Sequence, residues 1–270
     1  MSVEPEAMRW TPDAILAQSA AWRSSWHPSG STYFTVDGYE FYEQDGEATL
    51  LNYRGPHRDA DEIVDAATEI ATTRGAHAVL VTVGPGPLER MSNELLDARD
   101  ARTVAVVDVV AMILDEPAGG VEAPDDVRCI KATDLHTRTV FGEVSLRAWG
   151  FAPPILTDPE SGHDDDRAPG LFVALCAGTP AGAGGYSLSG EVARLWGAAV
   201  LSDFRRRGVY RALIAERIRD ARARGATLAL VHAEQTSAPI LQRWGFVKFG
   251  ERSRVRIPTG ARVDRWPSTR

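Results

Sequence analysis

The chain of 270 residues has little cysteine and no long apolar run, and each shortage excludes a class of protein. Its two cysteines, Cys129 and Cys176, each lie in an apolar strand-like run, which predicts buried free thiols and gives no sign of an oxidising compartment. No apolar run reaches membrane-spanning length, and the acidic first residues lack the apolar core of a secretory signal. We therefore expect a cytoplasmic protein with no membrane partner.

The spacings of two common catalytic sites are also missing. No cysteine and histidine spacing suits a metal ion, and no serine nucleophile elbow occurs. We therefore expect a site that uses no metal. Hydrophobic residues make up 44% of the chain and charged residues 25%, which is the usual balance of a soluble globular protein. The length suits two small domains or one large one.

Lysine is absent from residues 1–120, and charge is divided unevenly along the chain. Residues 1–120 carry 8 arginines against 20 acidic residues, whereas residues 121–270 carry 22 basic and 17 acidic residues. The asymmetry predicts two modules, and a stretch rich in Gly, Pro and acids at 115–125 places the boundary between domains 1–118 and 119–270. The total charge of −7 opposes binding to a polyanion, so we expect no nucleic-acid partner.

The most informative stretch is 200–211, where an apolar run gives way to three arginines, Gly208 and a helical pattern. The first N–H groups of a helix lack intrahelical partners, and the macrodipole places partial positive charge there. Glycine lets the backbone approach a ligand or adopt positive φ, and arginines add bidentate phosphate donors. The stretch therefore predicts a pyrophosphate-binding turn, with a solvated basic turn before a surface helix as the alternative. The apolar face of that helix consists of Val209, Leu213, Ile214, Ile218 and Ala221.

Three further elements follow in a regular order. Residues 228–234 form an apolar run that predicts a buried strand. The next segment predicts a helix capped by Ser237, with Pro239 near its first turn and Gly245 at its end. A strand resumes at Val247.

The stretch at 200–211 resembles the acetyl-CoA loop of the GCN5-related N-acetyltransferases. The helix that begins near Ser237, with the strand from Val247, resembles the closing element of that family. The family pattern is a strand ending in Val-x-Pro, then Arg/Gln-x-x-Gly-x-Gly/Ala and a helix. Val200, Arg205 and Gly208 match this pattern, whereas Ser202 and Tyr210 depart from it. The resemblance covers roughly residues 126–257 and implies an α/β (α+β) fold with a mixed central sheet flanked by helices.

The resemblance also implies the chemistry. It implies acetyl-CoA as co-substrate, no metal, and acetyl transfer to an amine in a ternary complex. A small-molecule amine is the expected acceptor, and a protein N-terminus or lysine stays open. The residues that it implies for cofactor binding are Ala198, Val200, Arg205, Arg206, Arg207, Gly208, Val209, Tyr210 and Arg211.

Both catalytic side chains that are common in the family are missing at the expected positions. Leu241 stands where a tyrosine often protonates the thiolate, and Trp196 and Gly197 stand where a glutamate often acts as base. His232 and Glu234 lie two residues apart on one predicted strand, so both can face the same side beside the expected cleft. We predict these two as the catalytic residues.

Several further side chains could replace the missing groups. Tyr210 offers a hydroxyl, Glu191 precedes the cofactor strand, and His163 with Asp164–Asp166 lies in a long loop over the expected acceptor side. The aromatic residues that could line an acceptor pocket are Trp149, Phe151 and Trp196. The missing tyrosine and glutamate also favour a different function, a non-catalytic acyl-CoA-binding sensor or scaffold protein.

The two halves of the chain align without a gap at an offset of 150 residues. Residues 74–76 match residues 224–226 as Arg-Gly-Ala, and a predicted helix at 60–73 overlays one at 210–223. The phosphate-binding positions are not repeated, because Pro56 removes an N–H and acidic residues follow it. The pattern predicts two acetyltransferase-like domains, of which the N-terminal one is degenerate.

Overall fold

The computed structural model describes residues 10–24, 26–86, 88, 91, 93–114, 123–150, 155–156 and 169–260. Its helices are α1 (Pro12–Ala21), α2 (Ala60–Thr73), α3 (Asn93–Ala98), α4 (Leu135–Trp149), α5 (Val209–Ala223) and α6 (Ala238–Arg243). Its strands are β1 (Trp26–His27), β2 (Thr32–Val36), β3 (Tyr39–Gln44), β4 (Glu47–Tyr53), β5 (Ala78–Val83), β6 (Arg102–Ile113), β7 (Val127–Lys131), β8 (Ile155–Leu156), β9 (Gly170–Cys176), β10 (Thr179–Ser189), β11 (Val192–Val200), β12 (Leu228–Glu234) and β13 (Val247–Pro258).

The chain forms two compact units that interleave along the sequence. One unit, here the C-unit, consists of Met1–Gln18, Asp108–Pro153 and Glu160–Phe249. The other, the N-unit, consists of Ser19–Val107, Pro154–Pro159 and Gly250–Arg270. The predicted domains 1–118 and 119–270 follow the linear chain, and that division stays a prediction.

The sheet of the C-unit has the order β6-β12-β11-β10-β9-β7. Strands β9, β10 and β11 form an antiparallel meander, and β11 runs parallel to β12. Helices α4 and α5 both pack on this sheet. The mixed sheet with flanking helices confirms the predicted fold class.

Helix α5 is held to the C-unit by the apolar face that its sequence predicts. The five residues of that face, from Val209 to Ala221, are all at most 4% exposed. Burial of a full aliphatic side chain is worth about 1.5–3 kcal/mol, so this stripe fixes the helix firmly against the sheet. The start of the helix is thereby held in a fixed position beside the end of β11.

The N-unit repeats the same arrangement, with strand order β2-β3-β4-β5-β13 and helix α2 packed on β4 and β5. Its last strand comes from the end of the chain, since residues 253–258 pair antiparallel with β5. Val255 and Ile257 are 1% exposed and pack into the same core as Val79 and Val81. Alternating apolar residues at 255 and 257 therefore complete the core of the N-unit.

The internal repeat is real in the fold, but the gapless alignment is wrong. Helix α2 and strand β5 match α5 and β12 at the predicted offset of 150. In the parallel ladders, however, Glu47 pairs with Ala78 while Val192 pairs with Leu228, so the preceding strands match at an offset of 145. The short Arg-Gly-Ala match does not reveal this five-residue difference, because the pairing between strands sets the offset of the preceding strand.

Two further local predictions need correction. The pattern of residues 88–99 predicts a helix, whereas α3 spans Asn93–Ala98 and the described residues Leu88, Met91 and Arg99 are not helical. The Ser237 side chain does not cap α6; its hydroxyl donates instead to the carbonyl oxygen of Glu234 at 3.1 Å. Serine hydroxyls readily bond to nearby backbone carbonyls, and here the tight turn out of β12 supplies one.

The N-terminus of α2 gives a stability prediction. Asp59 accepts from the N–H of Glu62 at 2.8 Å, and the Glu62 carboxylate accepts from the N–H of Asp59 at 3.1 Å. Loss of such a cap costs about 1 kcal/mol, so Asp59→Ala should lower the free energy of unfolding by about that amount. Urea denaturation followed by circular dichroism measures it, and Glu69→Ala on the exposed face of the same helix is the control. Equal stability of the two variants would contradict the prediction.

Candidate active site

Strands β11 and β12 separate part-way along their length and leave a wedge between them. The parallel ladder runs from Val192 paired with Leu228 to Arg194 paired with Leu230. Strand β11 then continues to Val200 and β12 to Glu234, but among the described residues these two strands form no further pairs with each other. We call the gap between residues 195–200 and 231–234 the wedge. Backbone N–H and C=O groups that lose their ladder partner there can bond to an extended ligand instead.

A bulge in β11 lies along this wedge. Gly185 pairs with Trp196 and Ala183 pairs with Ala199, so Gly197 and Ala198 both stand opposite one residue of β10. Gly197 has φ of +63°. A Cβ at this position would lie 3.2 Å from the Trp149 ring. Glycine is therefore required for both the backbone angle and the close aromatic neighbour, and the bulge re-aims the peptide groups of β11.

A turn at residues 205–208 joins the wedge to helix α5. Arg206 and Gly208 both have left-handed backbone angles, with φ of +63° and +76°. Within the described part of the chain, the N–H groups of Arg206, Arg207 and Gly208 make no hydrogen bond. Gly208 is the N-cap residue of α5 and offers no capping side chain, so no side-chain cap covers the start of the helix. Such turns form concave anion sites.

The reason for glycine at position 208 differs in part from the predicted one. Positive φ is confirmed, but the close approach is made by Pro124, whose Cγ would lie 2.2 Å from a Cβ. Asp126, two residues further, lies 3.5 Å from the Arg207 guanidinium. The segment at 124–126 therefore supports the turn from behind, and any side chain at position 208 would displace it.

The arginines of this turn present their charges to solvent. Arg205, Arg206 and Arg207 are exposed, and the Arg205 Nε lies 3.4 Å from the Val200 carbonyl oxygen. Arg211 is half-buried one helical turn further. Guanidinium groups beside available N–H donors at a helix start make a site suited to phosphate oxygens.

The side chain of Tyr210 is turned away from this turn. Its ring packs against Trp244, with ring centroids 5.7 Å apart, and its hydroxyl is hydrogen-bonded to the Ser237 side chain. Burial raises the pKa of the Tyr210 phenol, so the hydroxyl keeps its proton at neutral pH. The bulk of this residue therefore lies toward α6, which explains how a tyrosine is tolerated where a small residue is usual.

His232 and Glu234 lie on the part of β12 that borders the wedge. His232 is half-buried, and Glu234 is exposed at the strand end. The backbone oxygen of Glu234 accepts from the N–H of Ser237 at 2.9 Å, which ends the strand. Residues two apart in a strand share a face, so the structure brings the two side chains to the same side of the wedge. Their catalytic roles stay predictions.

Of the remaining candidate side chains, Trp196 belongs to β11 at the wedge and Trp149 lies beside Gly197, whereas Glu191 lies away from its open part. The carbonyl oxygen of Glu191 accepts from the N–H of Thr227 at 2.9 Å, beside the first pairs of the ladder. Glu191 is therefore at the closed end of the wedge, which removes it as a base. Phe151 and the segment 163–166 lie outside the described residues. Leu241 is fully buried and supplies no acid.

Sequence reasoning missed a buried arginine under the wedge. Arg217 is 1% exposed, and its Nη1 donates to the carbonyl oxygens of Gly185 at 2.9 Å and Trp196 at 3.2 Å. The signal was present in the sequence, since position 217 is four residues from both Leu213 and Ala221 on the buried face. A charged residue in an apolar stripe is rare enough to be informative.

The corresponding turn of the N-unit is closed to anions. The Tyr53 hydroxyl donates to the Pro56 carbonyl oxygen at 2.7 Å, and its ring lies against Gly55. Arg58 donates to the Tyr39 hydroxyl at 3.2 Å. Two donors at the start of α2, the N–H groups of Asp59 and Glu62, are satisfied by the acidic capping box that these residues form. The same fold thus carries an available helix start in one unit and an occupied one in the other.

The wedge, the bulge and the uncapped helix start all lie within the range that a protein-family model matches. Residues 139–246 match the model of the Acetyltransferase (GNAT) family. These residues form a GNAT domain. No curated protein matches the chain. The GNAT family consists of acetyltransferases that use acyl-CoA, so the domain is suited to acyl transfer in general.

Solved structures share the fold over most of the chain, at low sequence identity. A GCN5-related N-acetyltransferase from Sphaerobacter thermophilus matches with a TM-score of 0.63 and 18% identity, covering 82% of this chain and 76% of that one. A tandem GNAT protein from the clavulanic acid biosynthesis pathway matches with a TM-score of 0.61 and 13% identity, covering 91% and 88%. A GCN5-related N-acetyltransferase from Kribbella flavida matches with a TM-score of 0.58 and 16% identity, covering 93% and 97%.

Two negative findings apply to the described residues only. No helix there is long and apolar enough to cross a membrane. No group of three or more His, Cys, Asp or Glu side chains in that part of the chain could hold a metal ion.

Proposed function

We propose that this GNAT domain is an N-acetyltransferase that moves acetyl from acetyl-CoA to an amine within a ternary complex. The observation that carries the proposal is the continuity of the wedge with the turn at 205–208. Unpaired β11 backbone meets available N–H donors and exposed arginines within a few residues. An extended pantetheine arm fits the β11 backbone at the wedge, and a pyrophosphate fits the N–H donors and arginines of the turn.

The residues present fit the chemistry of that co-substrate. The amine nitrogen attacks the thioester carbon, the carbon–sulfur bond breaks, and the amine proton and the thiolate must be balanced by a base and an acid. Glu234 or His232, acting through water, is the proposed base, because both lie on the strand that borders the wedge. Backbone donors of β11 and the proximity of the reactants supply the remaining rate enhancement.

The alternative is a non-catalytic acyl-CoA sensor or scaffold. Buried Leu241 in place of an acid favours it. Acetyl-CoA consumption over a diverse amine panel, with free CoA measured as product, separates the two functions. We expect at least one amine to release CoA in a stoichiometric amount and to gain the mass of an acetyl group. Bound acetyl-CoA that stays intact with every amine would establish the sensor function.

Acceptor and location belong to the proposal too. A small-molecule amine is the proposed acceptor, and a protein N-terminus or lysine is the second choice. A nucleic acid and a membrane are not proposed as partners. The proposed location is the cytoplasm, as the cysteine content predicts.

The number of CoA sites per chain is a direct prediction of the two helix starts. We propose that the N-terminal half is a degenerate acetyltransferase-like domain, because Tyr53, Pro56 and the capping box occupy its turn. Titration calorimetry should therefore give one CoA per chain. Two equivalent sites would contradict the proposed degeneracy. The variant Asp59→Ala serves as the control, since freeing the α2 start alone should leave the count at one.

A further inference from the structure

Arg217 is a buried cation with no anionic partner. It lies on α5, its Nε donates to the Leu213 carbonyl oxygen at 3.0 Å, and its Nη1 reaches the two strand carbonyls of Gly185 and Trp196. No carboxylate among the described residues forms an ion pair with it, and its Nη2 has no hydrogen-bond partner there. A buried charge without a counter-ion lowers the free energy of unfolding, so a purely structural role does not explain an arginine at this position.

The charge on Arg217 persists at neutral pH. Burial lowers the pKa of the guanidinium to about 10, and Tyr210 and Cys129 are the groups that act in the opposite direction. Burial also raises the pKa of the Cys129 thiol to about 12 and that of the Tyr210 phenol. Both neighbours are therefore neutral at pH 7, and the positive charge of Arg217 faces only carbonyl dipoles.

The N-unit shows that the fold itself does not need this arginine. At the predicted offset of 150, the helix position equivalent to Arg217 is Ala67, which is fully buried. The neighbouring strands of the two units have the same parallel ladder and a similar bulge. The buried cation therefore accompanies the unit with the available helix start and is missing from the one with the occupied helix start.

The carbonyl that Arg217 binds belongs to the bulge. The acceptor is the oxygen of Trp196, and the same peptide group carries the N–H of Gly197. The described chain contains no cis peptide bond, so this N–H points opposite to the carbonyl and away from the guanidinium. Among the described residues Arg217 bonds to carbonyls of α5, β10 and β11 and to none of β12, so the direction away from it leads from β10 toward the β12 side of β11, where the wedge lies.

We propose that Arg217 is a positioning residue that polarises the Trp196–Gly197 peptide, so that the N–H of Gly197 becomes a stronger donor to the acyl carbonyl oxygen in the wedge. A hydrogen bond to a peptide oxygen strengthens the donor on the nitrogen of the same peptide. A fixed donor aimed at an oxygen that gains negative charge stabilises that charge. The inference rests on the proposed function, because it needs an acyl-CoA thioester in the wedge.

Isotope-edited infrared spectroscopy tests this role without an acceptor. The probe is acetyl-CoA labelled with carbon-13 at the thioester carbonyl, bound at saturation to the full chain. We expect the carbonyl stretch to move to lower frequency on binding to the natural protein. In Arg217→Met at least about half of that shift should be lost, while the Kd for acetyl-CoA changes by no more than about threefold.

Two further variants separate polarisation from stability. Arg217→Lys keeps the charge and should recover most of the carbonyl shift. Ile218→Ala, which removes a buried neighbour on the same helix, should lower stability and leave the shift unchanged. If Arg217→Met does not fold, Arg217→Gln carries the same expectation, because it removes the charge and keeps a polar group beside the carbonyls.

The outcomes are distinct. An unchanged shift in Arg217→Met or Arg217→Gln, or an equal loss in Ile218→Ala, overturns the role of Arg217 and leaves the proposed function intact. Absence of acetyl-CoA binding to the natural protein overturns the proposed function itself, and the role of Arg217 with it. Once an acceptor is known, Arg217→Met should lower kcat about tenfold with little change in the KM for acetyl-CoA.

Discussion

Replacing Gly208 by glutamate should abolish CoA binding. The new Cβ would lie 2.2 Å from Pro124 at a backbone φ of +76°, so the turn must move. The new carboxylate would also lie beside the N–H groups of the turn, and its negative charge would repel the phosphates of CoA. Titration calorimetry should show no binding heat for CoA. Gly225→Glu is the matched control, since Gly225 also has positive φ at the other end of α5 but has open space around it.

A double arginine variant tests the same site without backbone strain. Arg205 and Arg206 are exposed, so Arg205→Gln with Arg206→Gln leaves the core untouched. Each lost charged hydrogen bond costs about 1.5–3 kcal/mol, which predicts at least a hundredfold weaker CoA binding. Arg219→Gln with Arg222→Gln removes equal charge further along α5. Unchanged CoA affinity in both Gly208→Glu and the double variant would mean that the turn does not hold the phosphates.

The second large effect is expected at the end of β12. If Glu234 or His232 is the base, Glu234→Gln or His232→Ala should lower kcat by at least about 100-fold, since general-base help is worth ~10²–10⁴. CoA affinity should stay the same in both variants, because neither residue belongs to the turn at 205–208. The measurement is steady-state turnover on an amine from the acceptor panel, with calorimetry for CoA.

The chain offers two controls for this pair. Gln235 follows Glu234 directly and is also exposed, so Gln235→Ala changes a side chain just beyond the strand without removing a charge. Glu69 is exposed on α2 of the N-unit, so Glu69→Gln removes one carboxylate far along the chain from β12. Both control variants should keep full turnover.

The contrary result is equally specific. Full turnover in Glu234→Gln and in His232→Ala would place the base elsewhere or show that the amine arrives without its proton. The segment 163–166 would then be the next place for substitution.

The short-range features of the C-unit were predictable because local rules govern them. Apolar periodicity predicted α5 and the strand at 228–234, and the apolar face of α5 is buried as expected. The turn with Gly208 was located because glycine and three arginines precede a helical pattern, and its role in phosphate binding stays a prediction. The wrong prediction at Ser237 was also local. Its hydroxyl could cap α6 or bond to the Glu234 carbonyl oxygen, and the sequence pattern does not distinguish the two.

Pairing between distant segments could not be read from local patterns. The five-residue shift between the repeats is set by which residues of β4 and β11 meet their parallel neighbours. The same holds for the last strand, whose residues 255 and 257 fill the core of the N-unit. Apolar alternation predicts that a strand has a buried face, but it does not say which sheet buries it.

The amino-acid sequence by itself determined the α/β class, the duplicated order of elements, the place of the glycine turn before α5 and the absence of the usual acid and base. Tertiary structure alone decided where the wedge opens, why Tyr210 does not obstruct the turn, and which peptide the buried Arg217 contacts. The division has a physical cause. Helices, turns and caps depend on residues a few positions apart, whereas strand separation and a buried charge depend on groups that only the folded chain brings together.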